Sequence, residues 1–381
     1  MHRGLPERRV SGNPPGMFFL RYLIPVLSAF VLMSGLSAAE GNAVVSEVAA
    51  PVPAIDARRF LFAATPPEFS SEAYADSVER LLGGFEQRTG QILRPGEKGK
   101  VALKLYTNSG LGMETPKDLT RAVIAALTRR GFKRENILLA DLQERRLRET
   151  GYLPRLPQEG ENFEGCPVLA WDTGRYFHAR WYYENPLPSK DWMAQTGIFD
   201  TTAALRDRLS YLPMPLIMDV DFWINLPVAM DSPALGVSGA LGNATIWNIS
   251  NQRRFLDSPS NAEKAAVEVA SIPELKKTFL FSILSLQRYQ YIGGPRFDAN
   301  YCLSEPQIWL SANPLIMDFL MLQRMNSARE KKGFPLIDPE PPMFVSGNAP
   351  PFSLGSCILS QITIMNVTPS SAAAGERAKE N

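Results

Sequence analysis

Histidine is nearly absent from this chain of 381 residues, which contains only His2 and His178. His2 belongs to an N-terminal segment that we expect to be removed, so His178 alone remains. This scarcity excludes a histidine-rich metal site and makes a Ser–His–Asp triad depend on one residue. His178 lies in the run Tyr176–Trp181, in which aromatic residues recur. We therefore expect it to pack among aromatic side chains.

Cysteine is also scarce. The three cysteines, Cys166, Cys302 and Cys357, form no CxxC pattern, and an iron–sulfur cluster normally requires four thiolates, so this chain cannot ligate one alone. Either two of the cysteines form a disulfide and one stays free, or all three are buried thiols. We favour three buried thiols, because unpaired cysteine behaves as a small core hydrophobe.

Neither sign of charge dominates the sequence, whose formal net charge is +1 with 40 basic and 39 acidic residues. Loss of residues 1–39 would remove four arginines and Glu7, leaving 36 basic and 38 acidic residues. Binding to nucleic acid usually requires a concentrated basic face. We therefore expect no nucleic-acid partner.

The N-terminus has the three-part layout of a secretory signal. An apolar core from Leu23 to Leu36 is followed by Ser37 and Ala39 at positions −3 and −1 of a cleavage site. The basic residues that precede or border the core are Arg3, Arg8, Arg9 and Arg21. We expect cleavage near Ala39 and export to the periplasm or the cell exterior.

An uncleaved membrane anchor is the alternative interpretation of this segment. The apolar core has 14 residues and is interrupted by Pro25, whereas a spanning helix needs roughly 20. Residues 40–55 are then predicted to be a linker, residues 56–367 an α/β domain, and residues 368–381 a disordered tail. No segment after the signal is apolar enough to span a bilayer.

A strand–helix–strand unit is the clearest pattern in the body of the chain. Lys100–Tyr106 is predicted to be a strand, and Thr115 is predicted to cap a helix that ends at Gly131. Asn136–Ala140 is predicted to be the second strand, followed by Asp141. Such units connect parallel strands by a right-handed crossover.

The remaining segments continue this alternation. Residues 56–95 and 261–290 are predicted to be mainly helical, the latter in two pieces separated at Pro273, and a further helix is predicted to begin at Asn313–Pro314. Further predicted strands are Pro167–Asp172, Tyr176–Tyr183, Asp221–Leu226 and Ser304–Ser311. The sequence therefore predicts an α/β fold: a mostly parallel mixed sheet, covered by helices on both faces in a Rossmann-like layering, with a single large core.

Several segments, in order between about residues 95 and 335, together resemble the DUF362 family, a domain of unknown function. They are Val101–Lys104 with Thr115–Val123, Asn136–Asp141, Phe222–Pro227, Gly236–Asn243, Gly293–Pro295 and Ser311–Asp318. The resemblance implies a lysine-bearing first strand and a second strand that ends in aspartate. The family has no general activity, and some members carry ferredoxin-like cysteine clusters, which this chain lacks.

The chain departs from the family pattern at charged or titratable positions. Ser232 occupies the position of the family's histidine, Gly242 that of the lysine in a Lys-Asn pair, and Asn313 that of the first aspartate in its Asp-Pro segment. Neutral residues thus replace several groups that could bind or catalyse. The resemblance therefore implies a divergent member that lacks these groups of the family.

Ligands of open parallel sheets bind outside the carboxyl ends of the strands. We therefore expect polar residues at or near predicted strand ends to gather on one rim. The ligand-binding candidates are Lys104, Asp141, Asn225, Asp231, Asn243, Asn313 and Asp318. The small-residue run 234–243 could offer backbone N–H groups to an anion, and Asp141 and Asp318 could share a cation. The alternatives are a solvated lysine, helix-capping or turn aspartates, and a tightly packed loop.

Two functions remain open. The chain could bind a small polar or anionic ligand at the rim, as an enzyme or a pseudo-enzyme. Alternatively, it could be a non-catalytic envelope protein with an interaction or structural role. The sequence assigns no catalytic residue, cofactor, metal ligand or protein partner.

Overall fold

A mixed sheet of nine strands forms the centre of the part of the chain that the computed structural model describes, residues 55–184, 208–256 and 259–367. The predicted signal peptide, all but the last residue of the predicted linker and the predicted tail lie outside these ranges. The residues of these ranges belong to one compact unit.

The bounds of the elements are as follows. The strands are β1 (Phe60–Ala64), β2 (Val101–Lys104), β3 (Ile137–Asp141), β4 (Asn162–Phe163), β5 (Cys166–Ala170), β6 (Phe177–Glu184), β7 (Leu209–Pro213), β8 (Phe222–Asn225), β9 (Met230–Ser232), β10 (Gly236–Ser238), β11 (Phe279–Ser285), β12 (Tyr289–Gln290), β13 (Cys302–Leu303), β14 (Ile308–Ser311) and β15 (Thr363–Asn366). The helices are α1 (Ser71–Thr89), α2 (Lys117–Arg129), α3 (Glu144–Glu149), α4 (Ala240–Ala244), α5 (Arg253–Leu256), α6 (Pro259–Ala270), α7 (Pro273–Thr278), α8 (Pro314–Lys331) and α9 (Met343–Ser346).

The strand order of the large sheet is β15-β1-β14-β11-β8-β2-β3-β5-β4. Neighbouring strands β11, β8, β2, β3 and β5 are parallel, whereas β14 and β4 run against the strands beside them. Lys104 of β2 pairs with Ala140 on one side and with Asn225 on the other. The prediction that these three strands run in the same direction is therefore confirmed.

Helices cover both faces of this sheet. In β2, Leu103 contributes to an apolar cluster that also contains Leu81 of α1 and Val123 of α2. Ala102, which points to the opposite face, belongs to a second cluster that includes Met321 of α8. The strands at the centre are buried from end to end because parallel strands between two helical layers contact apolar residues on either side. The predicted α/β fold is thus confirmed.

Two strands lie where helix was predicted. Phe60–Ala64 and Phe279–Ser285 are the strands β1 and β11, and β11 pairs with β8 and β14. Short apolar runs have no periodicity that separates a buried strand from a buried helix. Pairing with neighbours that are distant in sequence decides their conformation.

Some local predictions are also wrong. Thr115 does not cap α2, because its Oγ1 accepts from Tyr106 N–H at 2.8 Å and donates to Leu226 C=O at 2.6 Å. His178 is exposed on β6 instead of packing among aromatic rings. All three cysteines are free thiols, as favoured, but only Cys166 is buried, whereas Cys302 and Cys357 are half-buried.

Two smaller sheets complete the described residues. A four-stranded sheet has the order β10-β9-β12-β13, and β6 and β7 form an antiparallel pair. Within the described ranges, no helix combines the length and the apolar character that crossing a membrane requires.

Candidate functional site

A row of polar side chains crosses the large sheet at one level. Lys104 of β2 is in register with Asn225 of β8, which pairs with Ser282 of β11, which pairs with Ser311 of β14. Residues in register on neighbouring strands point to the same face, so this row lies against the face that α4 and α8 cover. Lys104 and Asn225 end their strands, and Asp141 ends β3 beside them.

The Lys104 ammonium group is enclosed by protein oxygens. Its Nζ donates to the Leu105 carbonyl at 2.6 Å, to Asp141 Oδ1 at 2.7 Å and to Asn243 Oδ1 at 3.0 Å. An ammonium group has three donors, so these contacts use all of them. No hydrogen of Lys104 remains for a ligand in this arrangement.

Asp141 accepts hydrogen bonds from other groups besides Lys104. Its Oδ2 accepts from the backbone N–H and the hydroxyl of Thr107, both at 2.6 Å, and its Oδ1 accepts from Leu142 N–H at 2.7 Å. The carboxylate thus lies between the residues that follow β2 and those that follow β3. These donors stabilise its negative charge beside Lys104.

Two asparagines extend the contacts across the sheet. Asn243 Nδ2 donates to Asn225 Oδ1 at 2.8 Å, and Asn225 Nδ2 donates to the Ala240 carbonyl at 2.8 Å and to Ser282 Oγ at 2.9 Å. We call Lys104, Asp141, Asn225 and Asn243 the rim network. Their exposed fractions are 0%, 0%, 0% and 1%, so the network is closed to solvent.

Burial and charge oppose each other at Lys104. Burial lowers the pKa of the ammonium, and the charge and hydrogen bond of Asp141 counteract that shift. A lysine that acts as a base or nucleophile must lose its proton and reach a substrate. Here the amine has neither access to solvent nor a free donor, so the arrangement is that of a buried structural ion pair.

Asp318 caps α4, whose first residues belong to the small-residue run. It accepts from the N–H groups of Ala240 at 2.5 Å and Leu241 at 3.0 Å. Burial raises the pKa of Asp318 to about 7, and hydrogen bonds from these two amides oppose the shift. The amides that the sequence offered to an external anion thus bind the carboxyl group of Asp318, in agreement with the alternative of a tightly packed loop. Asp141 and Asp318 each have partners within the protein.

Asp231 lies in a different set of contacts. It accepts from the N–H groups of Gly293 at 3.1 Å and Gly294 at 2.8 Å, and from Arg329 Nη2 at 2.9 Å. Burial raises the pKa of Asp231, although these donors oppose the shift. The aspartate therefore joins β9 to the glycine loop and to α8, and its contacts include no member of the rim network.

Asn313 does not lie on the predicted rim. Because β14 is antiparallel to β11, the chain that leaves Ser311 runs toward the amino ends of the parallel strands. Asn313 Oδ1 accepts from the N–H groups of Leu315 at 3.0 Å and Ile316 at 3.2 Å, and its Nδ2 donates to the Ser356 carbonyl at 2.8 Å. It is the N-cap of α8, so the prediction that it joins the other strand-end residues is wrong.

Two contributors to the site were missed by sequence reasoning. Ser282 was hidden because its segment was interpreted as helical, although a serine inside the apolar run Phe279–Ser285 is itself a sign of a buried polar contact. Thr107 directly follows the predicted first strand, where a hydroxyl group can bind a strand-end carboxylate. Over the ranges that the structure describes, no group of three or more His, Cys, Asp or Glu residues is placed to hold a metal ion.

Comparisons with known proteins assign no relative of known activity. No family model matches the chain, and no curated protein matches it. A crystal structure of a protein from Thermotoga maritima is similar in part, with 13% sequence identity and a TM-score of 0.28. The similarity covers 60% of this chain and 52% of that chain, or about half the length of the solved protein.

Proposed function

We propose that this chain is an exported, DUF362-like protein with a non-catalytic role in the cell envelope, in which the rim network holds the sheet and α4 together. The observation that carries this proposal is the Lys104 ammonium group, which is fully buried and donates to three protein oxygens. A rim ligand would have to displace at least one of these acceptors. The geometry therefore favours a structural role for the residues that were expected to bind it.

The packing around the small-residue run supports the same proposal. Gly242, which occupies the position of the family's lysine, is buried, and a Cβ there would meet Ser238 Oγ at 3.0 Å and Leu235 Cδ1 at 3.2 Å. A lysine at this position would require its neighbours to move. Ser232, at the position of the family's histidine, accepts from Leu235 N–H at 3.2 Å in a local turn.

Chemical labelling of lysine tests this proposal on the full chain. Reductive methylation followed by peptide mass spectrometry should modify the exposed Lys277 readily and leave Lys104 unmodified until the protein is unfolded. A thermal-shift screen of metals, nucleotides and organic acids should find no ligand that protects Lys104 from labelling in the unfolding range, and none whose stabilising effect depends on Lys104. Labelling of Lys104 at the rate of Lys277, or a ligand whose stabilisation disappears in Lys104→Met, would contradict the proposal.

The exported location has a separate test. The chain carries a predicted cleavage site after Ala39, so expression with its own N-terminus should yield a mature protein that begins at Glu40. N-terminal sequencing of the secreted or periplasmic fraction gives the answer. Recovery of the uncleaved chain in the membrane fraction would favour the anchor instead.

A further inference from the structure

A cavity lies beside the first residues of β8 and β11, and its lining includes no member of the rim network. Its volume is about 210 Å³. Its wall is mainly apolar and includes Trp223, Leu241, Ala244, Leu275, Phe279 and Pro314. A cavity of this size accepts a small molecule but not a helix, which is about 10 Å across.

Two cations line the same cavity. Arg58 is partly exposed and Lys276 is exposed, so the cavity opens to solvent beside them. Arg58 is paired with Asp56, and its Nη1 donates to the Ser353 carbonyl at 2.6 Å. The Lys276 ammonium donates to the Phe352 carbonyl at 3.0 Å. With Asp56 included, these side chains leave one positive charge at the opening.

The electrostatics at the opening favour an anion. Burial lowers the pKa of Lys276, and the positive charge of Arg58 lowers it further. The two cations are therefore close enough to repel each other, even though Asp56 acts in the opposite direction. A carboxylate bound beside them would reduce that repulsion and accept charge-assisted hydrogen bonds.

The indole of Trp223 is a polar group in the mainly apolar wall of the cavity. Its Nε1–H is buried and has no hydrogen-bond partner among the described residues. The corresponding groups of Trp171, Trp247 and Trp309 donate to Asn248, Ser238 and Gln307. A buried donor without a partner is unusual, and a buried water molecule often satisfies such a group.

We propose that this cavity binds an amphiphilic carboxylate, with its hydrocarbon chain against Trp223, Leu241 and Ala244 and its carboxylate beside Arg58 and Lys276. Apolar walls with few polar groups at the opening are typical of small-molecule sites. The inference rests on the proposed non-catalytic role and gives it a ligand class. The cavity wall does not include Lys104. The labelling test of the proposed function and the ligand-binding test described below can therefore fail separately.

Titration of the full chain with decanoate tests the proposal. Isothermal titration calorimetry should show one decanoate per chain, bound roughly ten times more tightly than decanol or decyltrimethylammonium, because only decanoate offers charged acceptors to the two cations. Acetate, which lacks the hydrocarbon chain, should not bind. Equal affinity for decanoate and decyltrimethylammonium, or no binding of decanoate, would overturn the proposal.

Substitutions distinguish binding in the cavity from nonspecific binding to the protein surface. Lys276→Gln should weaken decanoate several-fold without changing decanol, whereas the matched variant Lys277→Gln, which alters the next exposed lysine, should leave both unchanged. Ala244→Leu should fill the cavity and abolish binding. If Ala244→Leu does not fold, Lys276→Gln and Lys277→Gln still decide, because equal losses in the two would contradict the site.

Binding should also change the fluorescence of Trp223. Trp223→Phe should remove most of the decanoate-dependent fluorescence change while calorimetry still detects binding. A fluorescence change that persists in this variant would place the ligand elsewhere and refute the assigned cavity.

Discussion

Removing the charge of Asp141 should expose the cost of burying Lys104. In Asp141→Asn, the ammonium keeps the carbonyl of Leu105 and the amide oxygen of Asn243, but it has no anion beside it and no access to solvent. The new amide also has only one acceptor oxygen, where the carboxylate now accepts from Thr107, Leu142 and Lys104. Breaking a buried pair in this way costs about 3–5 kcal/mol in the free energy of unfolding.

That cost should depend on pH. Burial lowers the pKa of Lys104 already in the natural chain, and Asp141 opposes the shift, so its loss should lower the pKa further. The folded variant then binds fewer protons than the unfolded chain at every pH between this lowered pKa and the ordinary lysine value of about 10.4. Its stability should therefore rise with pH across that window, by at most about 1.4 kcal/mol per pH unit.

Urea denaturation followed by circular dichroism at pH 7, 8 and 9 measures both effects. Because the pKa of Lys104 is also lowered in the natural chain, the stability difference between it and Asp141→Asn should shrink with rising pH between the two folded pKa values and stay constant above them. Asp219→Asn is a matched control, because Asp219 is exposed, and such surface changes usually stay within about 0.5 kcal/mol.

A double variant tests whether the uncompensated charge is the cause. Lys104→Met in the Asp141→Asn background removes the buried ammonium, so the double variant should be more stable than Asp141→Asn at pH 7. A loss below about 1 kcal/mol in Asp141→Asn, or a loss that grows as pH rises, would refute the reasoning and indicate that Lys104 reaches solvent.

Three further predictions concern Gly239, Asp318 and Cys166. In urea denaturation, Gly239→Ala should destabilise the fold by more than about 1 kcal/mol, because its Cβ would lie 2.3 Å from Asp318 Oδ1. Gly83→Ala is the control and should stabilise α1 by about 0.5–1 kcal/mol, because a Cβ there meets nothing within 4 Å. Equal effects of the two variants would contradict the packing at Gly239. Since burial raises the pKa of Asp318 from 3.8 to about 7, its folded carboxyl retains a proton between these values, and its contribution to stability should fall as pH rises through this window. The stability advantage of the natural chain over Asp318→Asn should thus shrink from pH 5 to pH 8, and a growing advantage would refute the raised pKa. Burial raises the pKa of Cys166 to about 11, so native iodoacetamide labelling at pH 8 should miss Cys166 until denaturant is added, and rapid labelling would show that the thiol is accessible.

Much of the fold could be predicted from the sequence because its signals are local. Lys100–Tyr106 and Asn136–Ala140 are mainly apolar segments joined by an amphipathic helix, and such a connection favours parallel strands. Parallel neighbours end at the same edge, so the convergence of Lys104, Asp141 and Asn225 followed before any tertiary contact was known. The resemblance to DUF362 and the export signal stay predictions.

The direction of β14 and the burial of Ser282 were decided by the tertiary structure. The antiparallel course of β14 depends on pairing with β1 and β11, whose residues are distant in the chain, and it sends Asn313 away from the rim. The apolar sequence of β11 is equally compatible with a helix, so Ser282 was recognised only through its pairing with Asn225.

The sequence by itself determined which polar residues end the central strands, because strand order and crossover handedness act over short segments. Only the tertiary structure decided that Lys104 is sealed from solvent by Asn243, and that a cavity forms between Trp223 and residues of α4, α7 and α8. Whether a charged side chain faces water depends on what packs over it, and that packing joins segments more than a hundred residues apart.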